Sequence, residues 1–248
     1  MAMPSEPMSV DGASPAVPDP AIARAFVYGY LARAFAYPTK TILDDLKAAR
    51  DDLAIAVSVL GFVCDLGSLD DALGESEKRL PALCGSHNAL FATTLVAPAR
   101  ETAYELDKTA RRAAELADIC GFYAAFGLEL AAPVEADGIE AELEFMSLLN
   151  QKEAAARCAD KTEGAAVCRD AAQAFLADHL ARWYGVFAER LRAASEDPYY
   201  RALADLLVAF LAHEVARLPA APPCLAHYSA QTAEGATWNC GAGPAIRA

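Results

Sequence analysis

"PVEADGIEAELEFMSLLN", Pro133–Asn150, places five acids (Glu135, Asp137, Glu140, Glu142 and Glu144) within ten positions and then turns apolar. An acidic active site, a metal cage and the solvated start of a helix would all look like this. Asp137 followed three residues later by Glu140 reads as an acidic capping box, and acids in a first turn suit the positive end of the helix dipole. At about 100° per residue, Glu140 and Glu144 fall opposite Ile139, Leu143 and Met146, on the solvent side. Glu142 falls between Met146 and Leu149, inside the apolar arc that also holds Ile139 and Phe145. A carboxylate there either meets an Arg or Tyr from another helix or receives a basic ligand. The periodicity gives a helix from Gly138 to about Arg157.

The same period runs through the rest of the chain. Ala21–Ala36, Thr41 to about Leu60, Ser68–Leu83 (Ser68 as N-cap, Asp71 at N3) and Thr109–Phe126 read as helices, the last ending at Gly127. A loop-like stretch covers 85–100. Glu163–Ala194 reads as one long helix with Phe175, His179, Trp183, Phe187 and Leu191 at spacings of four. Asp197 caps a final helix with Pro198 at its first position, and "PAAPP" stops it after Leu218. Strict alternation is hard to find, and Ala, Leu, Glu and Arg dominate the middle of the chain. The expected fold is all-α: a helical domain over 21–218 with a hinge at about 128–138, a flexible leader at 1–20 and an irregular tail at 219–248.

Hydrophobic residues make up 55% of the 248, enough for a substantial core, and the net charge of −13 excludes a nucleic-acid partner. The seven cysteines are odd in number and scattered through helical patterns, which fits reduced thiols in a cytoplasmic protein. The N-terminal stretch has no basic residue and no apolar segment of the signal-peptide kind, and no apolar run reaches the length of a membrane span.

Catalytic signatures fail: there is no G-x-S-x-G, P-loop, G-x-G-x-x-G or H-E-x-x-H, and His213-Glu214 lacks the second histidine because position 217 is Arg. No enzyme activity and no cofactor are expected. His179, on its aromatic stripe, reads as a hydrogen-bonded core residue. Metal-like spacing occurs in the tail alone, at Cys224, His227 and Cys240 with His213 as a conceivable fourth ligand. A metal-binding or metal-delivery protein is therefore the alternative reading.

"HNALF" (87–91) followed by "APARETAYE" (97–105) resembles the N-x-L-F … P-x-x-E-[ST]-x-Y pattern of the TorD/DmsD/NarJ group, cytoplasmic chaperones of molybdenum enzymes. "FYAAFGL" (122–128), "PVEADGIEAELEFM" (133–146), "HLARWYGVF" (179–187) and "YYRALADLLVAFL" (199–211) are similar to further stretches of that group in the same order. One departure stands in the hinge, where Gly138 replaces the group's histidine. The alanine content and the tail lean toward dedicated chaperones of type II dimethyl-sulfoxide-reductase-family enzymes.

The resemblance implies a helical bundle that binds an apo molybdenum-enzyme catalytic subunit and its twin-arginine leader, as monomer or homodimer. Two guanidiniums beside an apolar run call for carboxylates beside an apolar groove. Glu135, Asp137, Glu142 and Glu101 are the expected charges; Leu90, Phe91, Tyr104, Phe145 and Trp183 the expected apolar contacts.

Overall fold

Helix α1 (Pro20–Phe35) is apolar around most of its circumference, with Val27, Tyr28, Leu31, Ala34 and Phe35 all buried. A helix of that kind belongs at the centre of a bundle. In the computed structural model, which describes residues 19–76, 78–93, 96–104, 109–130, 135–223 and 225, it lies there. Around it come α2 (Lys40–Ala48), α3 (Arg50–Leu60), α4 (Leu66–Gly74), α5 (Leu80–His87), α6 (Thr109–Ala125), α7 (Ile139–Cys158), α8 (Thr162–Phe175), α9 (Ala181–Ala194) and α10 (Pro198–Val215). The all-α expectation holds: among the described residues, β-pairing is confined to an isolated antiparallel bridge between Arg100 and Gly138. None of the described helices is long and apolar enough to cross a membrane.

The most extensive packing is α1 on α7, and α7 in turn packs on α8. The crossing is close at Gly29, where a Cβ would sit 3.1 Å from Ser147 Oγ. That hydroxyl donates to the Ala25 carbonyl at 2.7 Å. Beyond it, Arg24 donates to Asn150 Oδ1 at 2.9 Å and lies 3.8 and 4.0 Å from Glu153 and Glu214. This second lock lines a cavity of about 30 Å³, enough for about one water molecule.

Local chemistry departs from the expected boundaries in four places. The Thr41–Leu60 helix is broken at Ala49 (φ −82°, ψ 2°), with neither Gly nor Pro to announce it. Asp65, not Ser68, caps α4: its carboxylate accepts both the Ser68 N–H and the Ser68 hydroxyl, so the helix starts earlier, at Leu66. It ends at Gly74, the rest of the expected Ser68–Leu83 helix falling in the separate α5 from Leu80. Part of the expected loop at 85–100 is the end of α5 and a π-helical turn, Asn88–Thr93. The long 163–194 helix is interrupted by another π turn, Leu176–Leu180. A stripe of residues four apart drifts by about 40° per step on an α-helix. The wider π turn winds the drift back, and Phe175, His179, Trp183, Phe187 and Leu191 all stay buried.

Asp197 caps α10 as expected, accepting the Tyr199 N–H at 3.0 Å, and also receives Arg79 at 2.8 Å. Asp197→Ala removes the cap and should lower stability by about 1 kcal/mol, read as a shifted urea midpoint at unchanged slope.

Candidate functional site

The chain on either side of α6 closes into a two-segment clasp. The Glu101 N–H donates to the Asp137 carbonyl at 2.9 Å, and the Ile139 N–H to the Ala99 carbonyl at 2.9 Å, flanking the Arg100–Gly138 bridge. The Asp137 carboxylate is buried and accepts from the Thr102 N–H and hydroxyl. Tyr123 of α6 donates its hydroxyl to the Ala136 carbonyl at 2.8 Å, and Arg100 pairs with the exposed Glu135 at 2.7 Å. The capping-box reading of Asp137 is therefore corrected. The N-cap of α7 is Gly138, with no side-chain cap, because Thr102 already engages the Asp137 carboxylate. A Cβ at Gly138 would sit 3.2 Å from the Glu135 carbonyl oxygen, so any larger residue there would require this turn to give.

Glu142 lies in the first turn of α7 and has no exposed surface. Its partner is neither Arg nor Tyr but Trp183 of α9, whose Nε1–H donates to Oε2 at 3.1 Å. Oε1 has no hydrogen-bond partner among the described residues. Burial, and then the nearby Glu101 carboxylate, push Glu142 well above the ordinary carboxylate range. It is a buried acid that keeps its proton above the ordinary range, set among rings: Trp183 stacks on Tyr104 at 5.6 Å and tilts against Phe187 at 5.4 Å. Phe145 packs against Tyr123, Phe122 and Phe175.

Glu101 is also fully buried. Its Oε2 meets His179 Nδ1 at 3.1 Å, and its Oε1 lies 3.4 Å from Arg182 Nη1. Arg182 reaches both Glu115 oxygens at 3.3 Å, and His179 Nε2 lies 3.2 Å from Asp118 Oδ2. The expectation of a hydrogen-bonded core histidine holds. Glu101, Glu115 and His179 bring donor atoms within 4.8 Å of one another, as a metal site would. The Arg182 guanidinium already stands at both carboxylates, so a metal ion would have to displace it. Cys224, His227 and Cys240 lie outside the described residues.

Of the expected contact residues, Glu101, Asp137, Glu142, Leu90, Tyr104, Phe145 and Trp183 are buried, Phe91 is half-buried against Tyr200 and Phe187, and Glu135 is exposed. The open surface lies beside them. A groove of about 680 Å³ runs between α1, the end of α6 and α7, with Leu128, Leu130, Ala141 and Leu148 in its walls and Glu129, Glu140 and Glu144 along it. It adjoins a more apolar hollow of about 550 Å³ lined by Ile22, Phe26, Tyr30 and Leu46, sharing Gly29, Arg33, Ser147 and Gln151. Partial desolvation, and then Glu144, raise the Glu140 carboxyl above its ordinary value. The sequence places Glu140 and Glu144 on the solvent side, and both are exposed; nothing in their spacing marks the wall that faces them.

Burial of Glu142 has a pH consequence of definite sign. The unfolded carboxyl ionises near 4.5, whereas the folded one keeps its proton to higher pH. The folded state then binds more protons, and stability falls as pH rises from that value toward the folded one. Glu142→Gln, which still accepts from Trp183, should gain on the wild type as pH rises above about 4.5 in urea denaturation. Glu142→Ala leaves the indole N–H unpaired and should lose about 1–3 kcal/mol relative to Gln.

No curated protein matches this chain. The family model described as nitrate reductase delta subunit matches residues 60–189, just over half of the chain, and spans the clasp, the first turns of α7 and the Glu101–His179–Arg182 cluster. The chain belongs to the nitrate reductase delta subunit family, the NarJ/TorD-type chaperones of molybdenum-enzyme maturation.

Proposed function

We propose that the chain binds the apo catalytic subunit of a molybdenum enzyme in the cytoplasm, together with its twin-arginine leader. It holds that subunit until the cofactor is inserted and then releases it for export. The observation that carries this reading is the acid-edged groove beside the clasp. Guanidiniums pair best with carboxylates, and a preformed apolar channel suits the apolar run that follows them. Glu129, Glu140 and Glu144 supply the charge along the groove, and the adjoining hollow at Ile22, Phe26 and Leu46 takes the apolar side chains. The net charge of −13 draws a cationic segment from a distance.

Glu135 contributes at the hinge surface. Glu101, Asp137, Glu142, Tyr104, Phe145 and Trp183 act from beneath, fixing the start of α7 and hence the positions of Glu140 and Glu144, while Phe91, next to the buried Leu90, supports α9 and α10 behind them.

The test is calorimetric titration with a synthetic peptide bearing two adjacent arginines and an apolar run. Replacing both arginines by glutamine, or combining Glu140→Gln with Glu144→Gln, should each weaken binding roughly tenfold, ~1.4 kcal/mol for two partly desolvated pairs. Added salt should weaken the wild-type complex and leave the double variant nearly unchanged. Equal affinity for both peptides would overturn the groove assignment. Failure to recover an apo catalytic subunit with the chaperone, from cells making such an enzyme, would overturn the wider reading.

A further inference from the structure

The clasp is fastened to the bundle through a titratable pair. Glu101 reaches the hinge with its backbone N–H (2.9 Å to the Asp137 carbonyl) and α9 with its carboxylate (3.4 Å to Arg182). Between the two stands His179, in the π turn that leads into α9, 3.1 Å from Glu101 Oε2. Both side chains are fully buried, and the imidazole packs against the rings of Phe122 and Phe175, which offer it no proton partner.

We propose that the Glu101–His179 pair is a proton-operated fastener: with His179 protonated it holds the 99–104 and 135–139 segments against α9, and with that proton lost the clasp loosens and the first turn of α7 with it.

The charged groups around His179 all bear on the sign. Glu101 faces it from the 3₁₀ turn Glu101–Ala103, and Asp118 and Glu115 face it from α6. Arg182, one turn along α9, pairs with the same Glu101. Glu142 of α7, its carboxyl raised by burial, and Asp137 lie beyond Glu101. Burial alone would drive the proton off the imidazole, but Glu101, and then Asp118 and Glu115, more than reverse it, so His179 is raised above 6.5. Glu101 is raised too, by burial first, with His179 and Arg182 opposing. The pair therefore holds its proton more tightly than the separated groups. For a histidine raised in the fold, the stabilisation is complete below about 6.5 and is lost as pH climbs through the folded value. Fastening is tight on the acid side of that window and slack on the alkaline side.

The functional consequence rests on the groove reading above: loosening the start of α7 displaces Glu140 and Glu144, so peptide affinity falls as pH rises. Direct titration of Glu140 works the other way, because raising the pH makes it more anionic.

The experiment uses the full chain. Ring resonances of the four histidines are followed by NMR, amide exchange at Glu101 and Ile139 is corrected for intrinsic rate, and the two-arginine peptide is titrated in parallel. His179 should titrate above 6.5. Protection of the two amides should fall severalfold across that titration. His179→Gln, which keeps a hydrogen-bonding side chain but cannot charge, should abolish the pH dependence of both exchange and affinity. Asp118→Asn, at an exposed position, should move the His179 titration down without unfolding the protein. A His179 titration at or below 6.5, an exchange profile indifferent to it, or no response to Asp118→Asn overturns the fastener. If exchange follows His179 but the peptide never binds, the groove reading falls and the fastener stands. If the peptide binds and exchange does not follow His179, the reverse holds.

Discussion

Glu101 brings a carboxylate into the interior, where an ionised group without partners is strongly disfavoured, and the clasp is organised around satisfying it. His179 and Arg182 meet its oxygens while its own N–H reaches the Asp137 carbonyl, so one residue joins α9, the clasp and the entry to α7. Remove the carboxylate's partners and the burial penalty acts on the backbone pairing that sets the first turn of α7. Phe122 and Phe175 pack against His179, and in the buried surroundings they help create each of these contacts is stronger than at the surface.

The far side of α7 is held by a different chemistry. Arg24 of α1 is surrounded by Asn150, Glu153 and Glu214, and burial, with Arg217 adding to it, lowers its pKa. A guanidinium nevertheless stays charged throughout the range in which proteins fold. The cation of the α1–α7 lock therefore does not titrate in that range, while the clasp end contains an imidazole that can. The groove walls come from both: Ser147 and Gln151 from the stretch of α7 that packs on α1, and Glu140 and Glu144 from the turns that follow the clasp.

How far the sequence could be read followed the range of the forces involved. Helical periodicity is local, so the all-α class and the helices at 20–35, 139–158 and 198–215 were legible, as was the burial of Glu142 from its place on the wheel. Its partner was not, because the indole arrives from 41 residues away and nothing in either segment marks the pairing. Asp137 misled for a related reason: local pattern made it a cap, but Thr102, brought in by the clasp, competes for the same carboxylate and wins. The π turn at 176–180 left only an indirect trace, a stripe at fours too long to stay on one face of an α-helix. The groove was least legible. Recognition acids and solvated acids look alike until the wall opposite them, from α1 and the end of α6, is in place.

The cluster that opens α7 therefore divides by environment. Glu142 is buried against Trp183, with its carboxyl raised by burial, and Asp137 is held by Thr102 within the clasp. On the proposed reading, charge for recognition comes from the exposed acids, where each pair is screened and weak. For a chaperone this division has a kinetic merit. A client held by a deeply desolvated ion pair would leave slowly, since breaking such a pair acts mainly on dissociation. Screened pairs along a groove, added to apolar contact, give affinity that a modest shift in the acids can cancel. On that reading the buried acids act indirectly: by fixing where the exposed ones stand, they would make release a matter of moving one helical turn rather than unpacking the core.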